Sequence, residues 1–329
     1  MFATALVTGI ALAAAPGTSR AQQNPSTSSG QVFPIKPIRL VVSTTAGGQP
    51  DGIARMIAQK MSERWGRPVI MDNRPGAGGA LAGSMVAKAA PDGYTLYYTL
   101  PNFAISAVLQ PNLPYDTFKD FAGITQIGFS ANILIVSSAL GVKSVKELIA
   151  LAKAQPGKLI FGSSSTGSAS HLSGARFNLA AGIKVVHVAF KGGPETMIEV
   201  LGGRTHYTVA TLGVALPFIQ DGKVVALAMT AQRRTPVLPD VPSLAEMLSE
   251  FKQPETSHGL FAPAGTPRPV VNQINKEVAR ILDLPDIKER LQAIGFVITP
   301  STPEECDKIL RAQIESLSKL VRDAGLQPK

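Results

Sequence analysis

The chain has 329 residues, of which 45% are hydrophobic and 17% are charged. This composition is typical of a globular protein and excludes a disordered or fibrous chain, and the length suggests about two domains. The formal net charge is +9 at pH 7. Because the Lys and Arg residues are scattered and form no basic run, we expect them to serve solubility and the steering of anions, not nucleic-acid binding.

The N-terminus has features of a secretory signal. A run of small and apolar residues follows Met1 and is too short to span a membrane, and Ser19 and Ala21 provide the small side chains that precede a cleavage site. No Lys or Arg stands before the apolar run, although signal peptides usually carry one. We predict a signal peptide at residues 1–21, a flexible tether at 22–33 and a periplasmic location. The alternative is a cytoplasmic protein with an apolar first helix.

From Ile38 onward, segments typical of strands and of helices alternate. Strands are predicted at 38–42, 68–71, 94–100, 133–136, 158–161, 185–190, 207–210 and 224–229, and helices at 53–65, 80–90, 145–154, 168–181 and from Pro194. Two or three further helices complete the chain, and the last one begins in a capping box from Thr302 to Glu305. This alternation predicts an α/β fold with mostly parallel sheets.

Two of these strands end in Gly/Ser/Thr-rich turns that lead directly into a helix. The first turn contains Thr44, Thr45, Ala46, Gly47 and Gly48, followed by Asp51, and the second contains Ser164, Ser165, Thr166, Gly167, Ser168 and Ala169, followed by His171. The free N–H groups and the positive dipole end of such a helix attract anions, so two turns suggest two lobes that hold one anionic ligand. Each turn alone could equally be a tight βα connection in which Asp51 caps a helix and His171 orders a loop. In a third turn, Lys191 and Gly192 could supply a charge partner or face solvent.

Signatures of catalysis are incomplete throughout the chain. Gly162 to Ser168 has the glycine spacing of a P-loop but lacks its Lys, and Gly76 to Leu81 lacks the third glycine of a dinucleotide fingerprint. No nucleophile elbow and no metal-ligand spacing of histidines occur. The single cysteine, Cys306, lies on a predicted amphipathic helix, is typical of a structural thiol and excludes an internal disulfide. We therefore expect no catalytic residues, no metal and no cofactor.

Several short segments, in consistent order over residues 34 to 325, together match one known family. They are Pro34 to Val42, Ala46 to Gly48 with Asp51, Asp72 to Gly79, Pro91 to Leu96, Leu113 to Asp116, Ser144 to Leu148, Gly167 to Leu172, Phe190 to Gly193 and Ala262 to Pro267. This combination resembles the Bug family, the substrate-binding proteins of tripartite tricarboxylate transporters.

The resemblance implies a two-lobed periplasmic binding protein of type II, a Venus flytrap in which each lobe is a mixed, mostly parallel sheet flanked by helices. Crossovers near residues 129 and 231 would divide the chain into lobe 1, residues 34–128 plus 231–329, and lobe 2, residues 129–230. The resemblance also implies a monomer that closes over a small organic carboxylate and delivers it to membrane subunits of a transporter.

In the family, backbone amides and waters at the two loops hold the carboxylate. Carried over by position, the expected ligand-binding residues are Thr44, Thr45, Ala46, Gly47, Gly48, Asp51, Asn102, Ser164, Ser165, Thr166, Gly167, Ser168, Ala169, His171, Lys191, Gly192, His206 and Thr211.

Three departures from the family pattern bear on the ligand. Ser43-Thr44-Thr45 replaces the usual Pro-Phe-Pro, His206 stands where an Asp is common, and Ala210-Thr211 replaces an Asp-Asn pair. Without a carboxylate at the cleft, an ammonium group on the ligand would be buried without a partner. We therefore expect a carboxylate without an ammonium group, with dicarboxylates and aromatic carboxylates as candidates.

Two other functions remain open at this point. A secreted serine hydrolase could use Ser165 or Ser168 with His171, although the sequence marks no acid to orient the base. A ligand-sensing or interaction protein without a role in transport is the other alternative.

Overall fold

A computed structural model describes Met1 and residues 33–231, 234–235, 237–251 and 257–326. The predicted signal peptide and tether lie outside the described residues, except for Met1 and Phe33. Within the described ranges, no helix combines the length and the apolar character that crossing a membrane requires.

Strands and helices alternate along the described chain. The strands are β1 (Ile38–Val42), β2 (Val69–Asn73), β3 (Thr95–Thr99), β4 (Phe121–Ser130), β5 (Asn132–Ser137), β6 (Ile160–Ser163), β7 (Val186–Ala189), β8 (Tyr207–Thr211), β9 (Val224–Met229), β10 (His258–Pro263) and β11 (Phe296–Ile298). The helices are α1 (Gln49–Trp65), α2 (Ala80–Ala87), α3 (Asn102–Leu109), α4 (Val145–Ala154), α5 (Ala169–Ala181), α6 (Gly193–Leu201), α7 (Leu212–Gln220), α8 (Arg268–Leu282), α9 (Pro285–Ala293) and α10 (Pro303–Asp323).

The described strands form two sheets. The six-stranded sheet has the order β11-β4-β10-β3-β1-β2, and only β10 and β11 run against its other strands. The five-stranded sheet has the order β7-β6-β8-β5-β9, and only β5 runs against the rest. Both sheets are therefore mixed, with most strands pointing the same way, and the predicted α/β class is confirmed.

Each sheet is buried on both faces. Successive strand residues point to opposite faces, and accordingly Leu40 and Val41 of β1 belong to two different apolar clusters. Ile133 and Leu134 of β5 are divided in the same way around the other sheet. Helices cover these faces, so each sheet has its own apolar core. This packing fixes the positions of the strand ends from which the turns emerge.

Local sequence signals located most elements well. β1, α4 and β9 begin and end where they were predicted, and Thr302 and Glu305 form the predicted capping box at the start of α10. The elements missed were α3, β4, α7, β10 and β11. In β4, Gly123 and Gly128 interrupt the apolar pattern, and in α7 an internal Pro217 hides the helix.

The lobe boundaries remain a proposal, and the packing bears on them. The chain passes from β4 in one sheet to β5 in the other through Ala131, close to the crossover expected near residue 129. On the return, Leu244 and Phe251 still pack in the core of the five-stranded sheet, whereas β10 belongs to the six-stranded one. These contacts favour a second crossover, from the five-stranded sheet back to the six-stranded sheet, that lies after Phe251 and not near residue 231.

Candidate ligand-binding site

The turns singled out in the sequence lie at the carboxyl ends of parallel strands. β1 and β3 are parallel neighbours, so the turn after β1 and the start of α3 share one edge of their sheet. β6, β7 and β8 are also mutually parallel, so the turns that follow them share an edge of the other sheet. In open α/β sheets, ligands bind outside such carboxyl edges. We call residues 44–48 the first loop and residues 164–169 the second loop.

Asp51 fastens the first loop. This side chain is 2% exposed, and its Oδ2 accepts hydrogen bonds from Gly47 N (2.9 Å) and Arg55 Nε (2.8 Å). Asn73 Nδ2 donates to Asp51 Oδ1 (2.8 Å) and to the carbonyl of Thr44 (3.1 Å). Burial would raise the pKa of Asp51, but the hydrogen bonds from Arg55, Gly47 and Asn73 outweigh it and lower the pKa. Asp51 is therefore ionised, and both of its carboxylate oxygens accept hydrogen bonds from the protein itself. We call Asp51 with these bonds the brace of the first loop.

Most of the first loop keeps its hydrogen-bonding groups free. Gly48 is the N-cap of α1 and provides no side-chain cap. Among the described residues, nothing accepts from the backbone N–H of Ala46, and nothing pairs with the hydroxyls of Thr44 and Thr45. Thr45 and Ala46 are exposed. The Ala46 N–H and the two threonine hydroxyls are therefore available to bind a ligand, whereas Asp51 already has partners within the protein.

The second loop is closed by its own hydroxyl groups. Ser168 Oγ donates to the carbonyl of Ser165 (2.7 Å) and accepts from His171 N (3.3 Å), which caps α5. Ser164 N donates to Ser170 Oγ (3.0 Å). These serine hydroxyls form hydrogen bonds with backbone groups of the loop and of the first turn of α5. They are therefore not free to donate to a ligand at the same time.

Two stacked imidazole rings lie next to the second loop, and one of them is hydrogen-bonded to it. The rings of His171 and His187 are 3.9 Å apart with an interplanar angle of 12°. Gly167 N donates to His171 Nδ1 (3.0 Å), so that nitrogen carries no proton. Ser163 Oγ donates to the carbonyl of Ser165 (3.1 Å) and lies 2.7 Å from His187 Nε2, which therefore donates to it. Burial, and to a smaller extent the neighbouring His187, lower the pKa of His171 to about 4.

A cavity of about 740 Å³ lies between the second loop and α3. Seven predicted residues line it, namely Asn102, Ser165, Thr166, Gly167, Ser168, Ala169 and His171. The sequence did not point to the other lining residues, which are Ala77, Gly78, Leu100, Pro101, Ile105, Ser106, Leu109, Gln110 and Leu326. The described lining contains no Lys, Arg, Asp or Glu, and its size suits a small organic ligand.

One wall of the cavity is a turn held by α3. Asn102 Nδ2 and Ser106 Oγ donate to the carbonyl of Gly78 (2.7 and 3.1 Å), and Gln110 Nε2 donates to the carbonyl of Ala77 (3.2 Å). Gly78 has a φ of +63°, and a Cβ there would lie 2.9 Å from Gln110 Nε2 and from Ser106 Oγ. The four-residue spacing of Asn102, Ser106 and Gln110 was the signal that could have revealed this wall.

Asn102 lies close to Gly79, which is also close to Ser43, the residue between β1 and the first loop. A Cβ on Gly79 would lie 3.2 Å from Asn102 Nδ2 and 3.2 Å from Ser43 Cβ. The donation from Asn102 Nδ2 to Gly78 fixes the orientation of the amide. Asn102 Oδ1 is buried and has no hydrogen-bond partner among the described residues. A buried acceptor of this kind requires a donor from water or from a ligand.

The remaining predicted residues do not line this cavity. The first loop, Lys191, Gly192 and Thr211 lie at the carboxyl edges of the two sheets but outside the lining. Lys191 is exposed, and its backbone N–H donates to Glu195 Oε2 (2.7 Å). Thr211 is the N-cap of α7. Their part in ligand binding stays a prediction.

His206 lies away from the other predicted site residues. Its Nδ1 accepts from Ile160 N (2.8 Å), at the amino end of β6, whereas the second loop follows the carboxyl end of that strand at Ser163. His206 therefore lies at the opposite edge of the sheet, and we leave it out of the proposed site. The residue type at this position carries no information about an ammonium group in the cleft.

Comparison with known proteins identifies the family. Residues 53–326 match the model of the tripartite tricarboxylate transporter family receptor, TctC. The chain belongs to this family. A UPF0065 protein of Pseudomonas sp. strain P51 is 32% identical over 318 residues, 96% of this chain and 93% of the relative. BugT of Bordetella pertussis is 28% identical, over 92% of this chain and 93% of its own length, which confirms the resemblance to the Bug proteins.

Solved structures of relatives share the whole fold. A Rhodopseudomonas palustris protein with adipate has a TM-score of 0.78 and 32% identity, covering 91% of this chain and 100% of that one. MatC of the same species, with bound malate, has a TM-score of 0.72 and 30% identity, covering 88% and 100%. The periplasmic binding protein BugD has a TM-score of 0.74 and 30% identity, covering 90% and 100%. The family thus consists of two-lobed solute-binding receptors, and carboxylates are ligands of two of these relatives.

Proposed function

We propose that this chain is a periplasmic receptor that captures a small organic carboxylate between its lobes, as a monomer, and delivers it to the membrane subunits of a tripartite tricarboxylate-type transporter. The observation that carries the proposal is the uncharged cavity between α3 and the second loop, directly at the N-terminus of α5. Family membership and the adipate and malate of two relatives support the class of ligand.

Backbone groups of the second loop supply the anion contacts. Ser165, Thr166 and Ala169 line the cavity, and their N–H groups have no acceptor within the described part of the chain. The positive end of the α5 dipole adds to their attraction for a carboxylate. Closure of the cleft would bring Thr44 and Thr45 onto the same ligand, so that two helix N-termini share one negative charge.

The site favours a ligand without an ammonium group. No carboxylate lines the cavity in the described residues, and Asp51, the only acidic residue among the predicted site residues, already pairs with Arg55, Gly47 and Asn73. A buried ammonium would therefore remain uncompensated.

The contacts of the loop argue against a serine hydrolase. Ser168 donates its proton to the carbonyl of Ser165, and His171 Nδ1 accepts from Gly167, so neither forms a nucleophile–base pair. Ser163 does lie against His187, but it is fully buried and donates to the carbonyl of Ser165. We propose that the protein binds its ligand without chemical change.

Thermal unfolding and calorimetry of the mature protein test this function. A carboxylate at about a hundred times its Kd should stabilise the protein by about 2.7 kcal/mol, whereas amino acids of the same size should not. Absence of stabilisation by every mono-, di- and aromatic carboxylate tried would contradict the proposal. So would turnover of esters that is lost in Ser165→Ala, Ser168→Ala or His171→Ala.

A further inference from the structure

One side of the cavity is formed by α3 and the turn at Ala77 and Gly78, and we call it the α3 wall. We propose that the α3 wall is a subsite for the apolar body of the ligand, so that the receptor selects monocarboxylates with an apolar chain or ring over dicarboxylates. This inference rests on the proposed function, because it assumes that a carboxylate occupies the second loop. It adds to that function a ligand class and the residues that select it.

Apolar side chains face the second loop across the cavity. Ile105 and Leu109 come from α3, Leu100 precedes that helix and Leu326 follows α10. Leu109 lies close to the loop, since a Cβ on Gly167 would be 3.0 Å from Leu109 Cδ1. The carbon atoms next to a bound carboxylate would therefore contact Leu109 first. Each methylene moved from water onto such a wall strengthens binding about fourfold.

The polar groups on α3 do not serve a second carboxylate. Asn102 Nδ2, Ser106 Oγ and Gln110 Nε2 all donate to the carbonyls of the turn at Ala77 and Gly78. Asn102 leaves two groups without a partner among the described residues, namely Oδ1, which only accepts, and the second N–H of Nδ2. A second carboxylate at this wall would meet that acceptor, one neutral amide N–H and no cation, whereas a hydroxyl group could donate to Asn102 Oδ1.

Hexanoate and adipate separate the two ligand classes, because both have six carbons and differ in one carboxylate. We expect calorimetry on the mature protein to give a Kd for hexanoate at least about tenfold below that for adipate, as one unpaired carboxylate predicts. Across butyrate, hexanoate and octanoate, affinity should rise about threefold to fourfold for each added methylene until the cavity is filled.

Leu109→Gln tests the wall, and Val108→Gln is the matched control. Both side chains are half-buried against the same apolar cluster, but only Leu109 lines the cavity. Leu109→Gln should weaken hexanoate about fivefold or more and flatten the gain per methylene, because a polar group replaces apolar contact at similar size. Val108→Gln should stay within about twofold of the unaltered protein.

The outcomes distinguish the two proposals. If no carboxylate binds the unaltered protein, the proposed function fails and takes this inference with it. If carboxylates bind but adipate equals hexanoate, or chain length has no effect, or both Gln variants behave alike, the inference alone is overturned. If Leu109→Gln does not fold, the hexanoate–adipate ratio and the chain-length series on the unaltered protein decide.

Discussion

The first and second loops share one sequence signature but are stabilised in different ways. Both follow a buried strand, both are rich in Gly, Ser and Thr, and both lead into a helix. The first loop is braced from outside, by Asp51 and Asn73. The second is braced by its own serine hydroxyls and by His171. A turn motif therefore predicts the backbone path without predicting which groups remain free.

This difference assigns the two loops different duties at a shared ligand. The hydroxyls of Thr44 and Thr45 are free in the first loop, whereas the hydroxyl of Ser168 is consumed in the second. Backbone N–H groups are left for the ligand in the second loop. We therefore expect loss of the bonded Ser168 hydroxyl in the second loop to lower stability, and loss of the free hydroxyls in the first loop to change affinity.

Acid should separate the loops by the largest margin. Because the pKa of His171 is lowered from 6.5 to about 4, the unfolded chain takes up a proton in this window and the folded chain does not. His171 alone should therefore lower the free energy of unfolding by roughly 3 kcal/mol as the pH drops from 6.5 to 4, and the buried His258, whose pKa is lowered to about 3, should add a fall of its own. Denaturant unfolding at several pH values measures this slope.

A His171→Gln variant provides the control for the acid effect. It lacks the titrating ring, so its unfolding free energy should vary less between pH 6.5 and 4 than that of the unaltered protein. Asp51 contributes little to this window. Its pKa is lowered from 3.8, so the stability that it provides is present above that value and is lost only as the pH falls further. Equal slopes in the two proteins would show that the second loop does not depend on a neutral His171.

Removing the brace of the first loop should have the next largest effect. Asp51→Ala leaves Gly47 N, Asn73 Nδ2 and Arg55 without their acceptor and should lower the free energy of unfolding by about 2 kcal/mol. Arg55→Ala is the matched control. The Arg55 side chain is 50% exposed, so its loss should lower stability by less than about 1 kcal/mol. Equal losses in both variants would mean that the ion pair, not the loop, is what Asp51 stabilises.

The sequence predicted best what depends on neighbouring residues. The bounds of α4 follow from its Ser144 cap and apolar spacing, and the capping box of α10 is complete within four residues. The α3 wall was missed because its contacts join residues far apart in the chain, such as Gln110 and Ala77. The position of His206 at the other edge of the sheet could not be predicted for a related reason. Whether a residue at the end of a strand lies at one edge of the sheet or at the opposite one depends on strand direction and register, and these are known only once the strands are paired.

Capping in the second loop should have a smaller effect than either brace. Ser168→Ala removes the acceptor for His171 N and the donor to Ser165, and should lower the free energy of unfolding by about 1 kcal/mol. Thr166→Ala is the control in the same loop, because the Thr166 hydroxyl has no hydrogen bond to any described residue. Its unfolding free energy should change by less than about 0.5 kcal/mol. Identical losses would indicate that the second loop is not closed by Ser168.

Thr45→Val should change stability least and binding most clearly. The side chain is exposed and its hydroxyl bonds to no described residue, so the free energy of unfolding should stay within about 0.5 kcal/mol. If the hydroxyl donates to the carboxylate when the cleft closes, its loss should raise the Kd about tenfold, the effect of one hydrogen bond to a charged group. Calorimetry and denaturant unfolding on the same variant measure both quantities. A variant that binds as tightly as the unaltered protein would confine the carboxylate to the second loop, and the first loop would then contribute only its backbone to closure.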